Sequence, residues 1–150
     1  MFGPFFMRVI STLMLLTTLL LSPLSQAQNM KSLGAWDVHY IAFAATFLTP
    51  EIANQYGIQR SAYKGVVNIS LLDSSSQAAQ AAGVSGYALN SLGQRQELAF
   101  KEVKEGDAIY YLAQVNYTNA ETLRFIIDLT DGRQSHQLRF SQIFYSDLDN

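Results

Sequence analysis

Apolar and polar residues alternate along most of this chain with a period of two, the period of strands whose two faces meet different surroundings. The clearest stretch sets Leu123, Phe125, Ile127 and Leu129 against Thr122, Arg124 and Asp128, with Ile126 as the exception. His136, Leu138, Phe140, Gln142 and Phe144 alternate with Gln137, Arg139, Ser141, Ile143 and Tyr145. Ile109, Tyr111, Ala113, Val115 and Tyr117 make a third stripe, and Val67, Ile69 and Leu71 a fourth. Leu98 and Phe100 anchor a fifth strand, Tyr87 and Leu89 a sixth. A further strand is predicted over residues 35–47, where the stripe runs Trp36, Val38, Tyr40 and then changes parity to Ile41, Phe43 and Phe47. A one-residue change of parity turns every later side chain to the opposite face. The pattern therefore predicts a bulge near Tyr40 to Phe43, or a strand that passes from one sheet to another.

Two segments lack the alternation. Thr49-Pro50-Glu51-Ile52-Ala53 reads as a helix start, with Thr49 as N-cap and Pro50 at the first helical position, and the helix is predicted to stop at Gly57. Residues 74–83, rich in Ser, Ala and Gln, read as a polar, mobile loop. Leu92-Gly93-Gln94, Glu105-Gly106-Asp107 and Asp131-Gly132 are turn sequences, as is Asn119-Ala120-Glu121. Their spacing predicts consecutive antiparallel hairpins from residue 84 to the end. The expected architecture is all-β: an immunoglobulin-like antiparallel β-sandwich of about seven strands with one short helix. A small closed barrel is the alternative.

Residues 1–27 follow another pattern. Arg8 precedes an apolar run, Val9 to Leu21, interrupted only by Ser11, Thr12, Thr17 and Thr18; Pro23 breaks it, and Ser25-Gln26-Ala27 supplies small residues. This is the pattern of a signal peptide cleaved after Ala27. The run is shorter than the roughly 20 residues that span a bilayer. Residues 28–150 are then expected to be one domain, soluble and exported, with no membrane span. The chain has no Cys. That excludes disulfides, thiolate nucleophiles, zinc–thiolate sites and iron–sulfur clusters, and an exported chain without disulfides suits a bacterial periplasm. The formal charge is −2, one unit more negative once Arg8 leaves, and Lys and Arg are spread singly. No basic stripe exists to bind nucleic acid. Asn68-Ile69-Ser70 and Asn116-Tyr117-Thr118 match the glycosylation acceptor pattern, a chance match in a bacterial protein.

His39-Tyr40-Ile41-Ala42-Phe43, Thr46-Phe47-Leu48-Thr49-Pro50, Tyr56-Gly57-Ile58 and Arg60-Ser61 are distinctive, as are Glu105-Gly106-Asp107-Ala108-Ile109-Tyr110-Tyr111, Glu121-Thr122-Leu123-Arg124-Phe125 and Phe140-Ser141-Gln142-Ile143-Phe144-Tyr145. Through these stretches the chain resembles a group of small exported proteobacterial proteins, the domain of unknown function 4426. The resemblance runs through nearly the whole of residues 28–150. It implies a periplasmic domain and carries over no activity and no catalytic residue.

Three sets of residues could carry chemistry. His39 shares a strand face with Asp37 and Ile41; it reads as a proton carrier or metal ligand, or as a hydrogen-bonded strand histidine. The other histidine, His136, is far away in sequence, so spacing supplies no metal set. Arg124, on the polar face of its strand, is either a carboxylate clamp or half of a cross-strand ion pair. Arg60 follows the short helix, where a loop anchor and a binding contact are equally plausible. Tyr40, Phe43, Phe47, Tyr56, Tyr63, Tyr110 and Tyr111 are the aromatic set; if Tyr40 and Tyr110 share an exposed patch, they suit a peptide or a glycan. Gly83-Val84-Ser85-Gly86 is a near miss to the serine-hydrolase elbow, its second glycine one residue early. No phosphate loop, calcium loop or dinucleotide fingerprint is present.

The sequence thus points to a non-enzymatic periplasmic binding module for another envelope protein, peptide or glycan, needing no cofactor or metal. Its expected surface involves His39, Tyr40, Phe43, Arg60, Tyr110 and Arg124. The alternatives are a small hydrolase using His39 with Asp37 or Asp107, and an assembly factor acting through an edge strand.

Overall fold

The alternating stripes form strands, and the Thr49-Pro50 signal starts a helix. The computed structural model describes residues 29–146, and the leader expected over residues 1–27 lies outside them. In chain order come β1 (Asn29–Leu33), β2 (Trp36–Ala44), a 3-10 turn (Ala45–Phe47), α1 (Pro50–Gln55), β3 (Lys64–Asp73), β4 (Gly83–Leu89), β5 (Arg95–Leu98), β6 (Lys101–Glu105), β7 (Ala108–Asn116), β8 (Glu121–Thr130) and β9 (Ser135–Phe144). These nine strands exceed the expected seven for two reasons. β1 adds a strand in front of β2, joined by a tight turn at Gly34, whose φ of +59° suits glycine. The stripe anchored by Leu98 and Phe100 is also divided, into β5 and β6.

All pairings are antiparallel, in two sheets of order β1-β2-β3-β7-β6 and β5-β4-β8-β9. With β1 set aside, this is the A-B-E-D against C′-C-F-G arrangement of immunoglobulin domains. The run of consecutive hairpins expected after residue 84 is corrected. β4–β5, β6–β7 and β8–β9 are hairpins, but the chain changes sheets between β5 and β6 and again between β7 and β8.

The core lies between the sheets. Trp36, Val38, Ile69 and Leu71 point into it from the five-stranded sheet, and Phe125, Ile127, Leu129 and Leu138 from the four-stranded one. Aromatic rings link the two layers: Tyr40 lies 4.6 Å from Phe140, which stacks on Phe125 at 4.8 Å, while Tyr117 stacks on Phe144 at 4.7 Å. Offset ring pairs of this kind bury much apolar area in fixed geometry, which serves a core that has no disulfide.

The parity change in β2 has a different cause from the one expected. The β2–β3 register runs unbroken from Trp36↔Asp73 to Ala44↔Gly65, with no bulge and no change of sheet. Trp36, Val38, Tyr40 and Ala42 face the core. Phe43 is apolar because the chain after β2 folds back over the outer face of the same sheet and sets Phe47 edge-on to it at 6.2 Å, so that end of the strand is covered on both faces; Ile41, on the same outer face, is half-buried.

The segment after β3 is tethered rather than loose. The Asp73 carboxylate accepts the backbone N–H groups of Ser75 and Ser76 at 2.9 and 2.8 Å. Gln80 N–H donates to the Leu71 carbonyl at 2.8 Å, and the Gln77 side chain donates to Asp37 at 2.9 Å. The backbone donors of Ser76 and Ser75 hold Asp73 below the ordinary value of 3.8, and the side chains of Gln77 and Ser32 do the same for Asp37. A depressed carboxylate stabilises the fold above its unfolded value, and that contribution is lost as pH falls through the lower folded value. Urea midpoints are therefore expected to hold steady from about pH 7 to 5 and to fall from about pH 4 downward. Asp73→Ala is expected to lower the plateau and flatten this acid limb, which a pH series of urea melts would show.

Candidate functional site

The outer face of the five-stranded sheet carries the most built feature of the surface. An arm, residues 45–60, leaves β2, crosses that face and returns to β3. Its shape is set locally. The Thr49 hydroxyl accepts the Ile52 N–H at 3.3 Å, Pro50 opens α1, and Gly57 with φ +66° closes it. Ile58 N–H reaches the Ala53 carbonyl at 2.7 Å and Gly57 N–H that of Asn54 at 3.2 Å, the paired bonds of a Schellman ending.

Three contacts then fix the arm. Arg60 donates through Nε to the Leu48 carbonyl at 2.7 Å and through Nη2 to the Thr46 carbonyl at 3.3 Å, stapling the start of the arm to its end. Gln114 on β7 holds the backbone of Gln59 with two bonds of 2.9 Å, one given and one accepted. The Tyr56 hydroxyl donates to Glu105 at the end of β6. That bond keeps Tyr56 protonated and raises its pKa above the ordinary tyrosine value.

Between arm and sheet lies an open cleft of about 260 Å³. Its floor is Phe43, Val66, Asn68, Val103, Tyr110 and Leu112; its roof is Leu48, Ile52, Tyr56 and Ile58, with Glu105 at one end. The lining is mostly apolar. A shallower depression, about 210 Å³, continues the same face beyond Tyr110 and is lined by His39, Ser70, Leu72, Ala79, Ala108 and Ile109.

The sequence candidates divide over this frame. Phe43 and Tyr110 line the cleft, and His39 the neighbouring depression. Arg60 spends its donors on the arm's backbone and positions the roof. Tyr40 is 8% exposed and packs in the core, so it shares no surface patch with Tyr110. Arg124 is exposed on the four-stranded sheet, between Leu89 and Ser141 on the neighbouring strands, on the other side of the sandwich. The alternative His39 dyad has no hydrogen bond among the described residues: Asp37 is hydrogen-bonded to Ser32 and Gln77, with His39 adding only an electrostatic pull, and Asp107 lies in the β6–β7 turn. Gly83-Val84-Ser85-Gly86 begins β4 and forms no elbow.

Sequence reading missed Asn68, which entered only as a glycosylation pattern, and Glu105, which entered only as a turn residue. The one signal for both was the apolar outer parity of β2, which implied a covered second face.

A family model for the domain of unknown function 4426 matches residues 30–147. The chain belongs to the DUF4426 family. A crystal structure of a DUF4426 family protein from Pseudomonas aeruginosa is similar, with 32% identity, a TM-score of 0.71, and coverage of 82% of this chain and 98% of that one. FetP from uropathogenic Escherichia coli strain F11, recombinantly expressed in the periplasm of a laboratory E. coli strain, shares the fold at 9% identity, with a TM-score of 0.57 and coverage of 80% and 95%. A copper-bound FetP variant aligns at 10% identity with a TM-score of 0.54, covering 80% of this chain and 91% of that one. A search of curated proteins gives no significant match. Among the described residues of this DUF4426 domain, no three or more His, Cys, Asp and Glu side chains group to hold a metal ion. Nor is any helix among them long and apolar enough to cross a membrane.

Proposed function

We propose that this DUF4426 domain is a non-enzymatic binding module of the bacterial periplasm, with its ligand seat in the cleft between the arm and the five-stranded sheet. The observation that carries the reading is the cleft itself: about 260 Å³ of mostly apolar space under a roof fixed by a helix cap, a Schellman ending and three side-chain clasps. A concave apolar site with a few convergent polar groups is the usual form of a small-ligand seat. The signal-like leader supports the location. The copper of the FetP variant is a property of that protein and enters no part of this reading.

Ile52 is 42% exposed on the roof, so Ile52→Trp is expected to fold and to occupy the cleft. Native mass spectrometry of protein released gently from the periplasm is expected to show a small retained mass in the wild type and its loss in Ile52→Trp. The same mass on both proteins would move the seat elsewhere, and a bare chain in both would sink a tightly held ligand.

A further inference from the structure

One end of the cleft carries a charge that the fold leaves without a counter-ion. Val103 and Glu105 face the cleft from β6, and Tyr110 stands opposite Val103 on β7, diagonal to Glu105. From the roof, the Tyr56 hydroxyl donates to Glu105 Oε1. Tyr110 lies close enough to Tyr56 to oppose its ionisation. The rim thus sets a single carboxylate beside two tyrosine rings. The bond from Tyr56 is neutral and uses one carboxylate oxygen, so the charge stays uncompensated. Neither nearby lysine answers it: Lys104 pairs with Glu102 at 3.6 Å, and Lys101 lines the cavity beyond Gly57. Among the described residues, no Lys, Arg or His lines the cleft.

We propose that the cleft takes a small amphiphilic amine: an apolar body under the arm and an ammonium group at Glu105, beside the rings of Tyr56 and Tyr110. This rests on the cleft being the ligand seat. The body follows from the walls, where Phe43, Leu48, Ile52, Ile58, Val66 and Leu112 offer apolar surface. The size follows from the volume. A cavity of about 150 Å³ lined by Leu, Ile and Phe holds benzene, and about 260 Å³ holds a substituted ring or a short chain of similar bulk. The head group follows from Glu105. A carboxylate holds an ammonium by a charge-assisted hydrogen bond, tyrosine rings attract a cation through their faces, and the same carboxylate repels an anionic head. Glu105 is exposed at the rim, so the ammonium keeps part of its water while the apolar body leaves its own. That placement avoids the cost of burying a charge, which an ammonium deeper among the apolar walls would meet.

The test compares 4-methylbenzylamine, 4-methylbenzyl alcohol and 4-methylbenzoate by amide-shift NMR titration of the protein at pH 7. The three share a ring and differ in the charge of the head. Shifts are expected to centre on Phe43, Glu105, Tyr110 and Leu112. The amine is expected to bind about fivefold more tightly than the alcohol, the size of an exposed ion pair joined by a cation–π contact, and the benzoate most weakly. Added salt is expected to shrink the preference for the amine. Glu105→Gln keeps an oxygen for Tyr56 and is expected to bring the amine down to the alcohol. Asp128→Asn, the same loss of charge on the exposed face of β8, is expected to keep the preference. Equal affinities for amine and alcohol in the wild type, or a preference that survives Glu105→Gln or falls equally in Asp128→Asn, would overturn the inference and leave the seat standing. No shift at the cleft with any of the three would overturn the seat as well. The wild-type comparison needs no variant, so it decides the matter even if Glu105→Gln fails to fold.

Discussion

Phe125→Ala is expected to destabilise the domain by about 3–5 kcal/mol, the range for emptying a large aromatic site in a core. Phe125 is fully buried, stacks on Phe140 at 4.8 Å and meets Phe144 edge-on at 6.3 Å. Its ring sits in the middle of the chain of aromatic contacts that runs from Tyr40 through Phe140 to Phe125. Removing it leaves a void that cannot close without moving both sheets, since β8 is a central strand hydrogen-bonded on each side. Domains of this size hold only about 5–15 kcal/mol in total. The variant should therefore be largely or marginally unfolded, and a urea melt with fluorescence from Trp36 would measure the loss. A change under about 1 kcal/mol would mean that the site relaxes, contrary to the packing described.

Gly86→Ala is expected to cost about 3 kcal/mol, at the upper end for overpacking, although it adds a single methyl group. A Cβ at this position would lie 2.4 Å from the Ile126 carbonyl oxygen and 2.9 Å from the Ile127 Cα. Both atoms belong to the backbone of β8, so no side chain can swing aside. β4 would have to withdraw from β8 and weaken the ladder that runs from Gly83↔Thr130 to Leu89↔Arg124. Amide hydrogen exchange should then speed up along Tyr87, Ala88 and their partners in β8. Gly93→Ala is the contrast in space, because nothing lies within 4 Å of its Cβ and only its φ of +76° resists the change. A Gly93 variant should therefore lose about 1 kcal/mol through backbone strain and leave the ladder protected. If Gly86→Ala left both stability and exchange unchanged, the close approach of β4 to β8 would be wrong.

Gly86 also shows how local sequence can mislead. Beside Ser85 it read as a near miss to a nucleophile elbow, yet its role is to let two backbones approach. A one-dimensional pattern cannot distinguish a glycine needed for a turn from one needed for contact, because the contacting atoms lie about forty residues away. The site residues divide along the same line. Phe43 was legible because it is apolar on a strand, and Arg60 because it follows a helix signal. Tyr40 was read as a surface aromatic although its own stripe with Trp36 and Val38 already assigned it to the core. Asn68 carried no local signal, since an asparagine on a strand gains meaning only from the arm that covers it.

The sequence alone determined the elements whose causes are local. Period-two alternation set the strands, because one face of each must be buried. Thr49, Pro50 and Gly57 set both ends of α1, because capping and a positive φ are decided within a few residues. Distinctive stretches along residues 39–145 also determined family membership. Tertiary structure decided what depends on partners distant in the chain. It assigned β5 and β6 to different sheets, although they are separated by only Ala99 and Phe100. It turned the parity change of β2 from a suspected bulge into a strand covered on both faces. It brought Tyr56 to Glu105, and Asn68 beneath the arm, across separations that no periodicity reaches. The physical reason is that strand formation responds to the average surroundings of a face, whereas a binding cleft is made by the particular segment that happens to cover it.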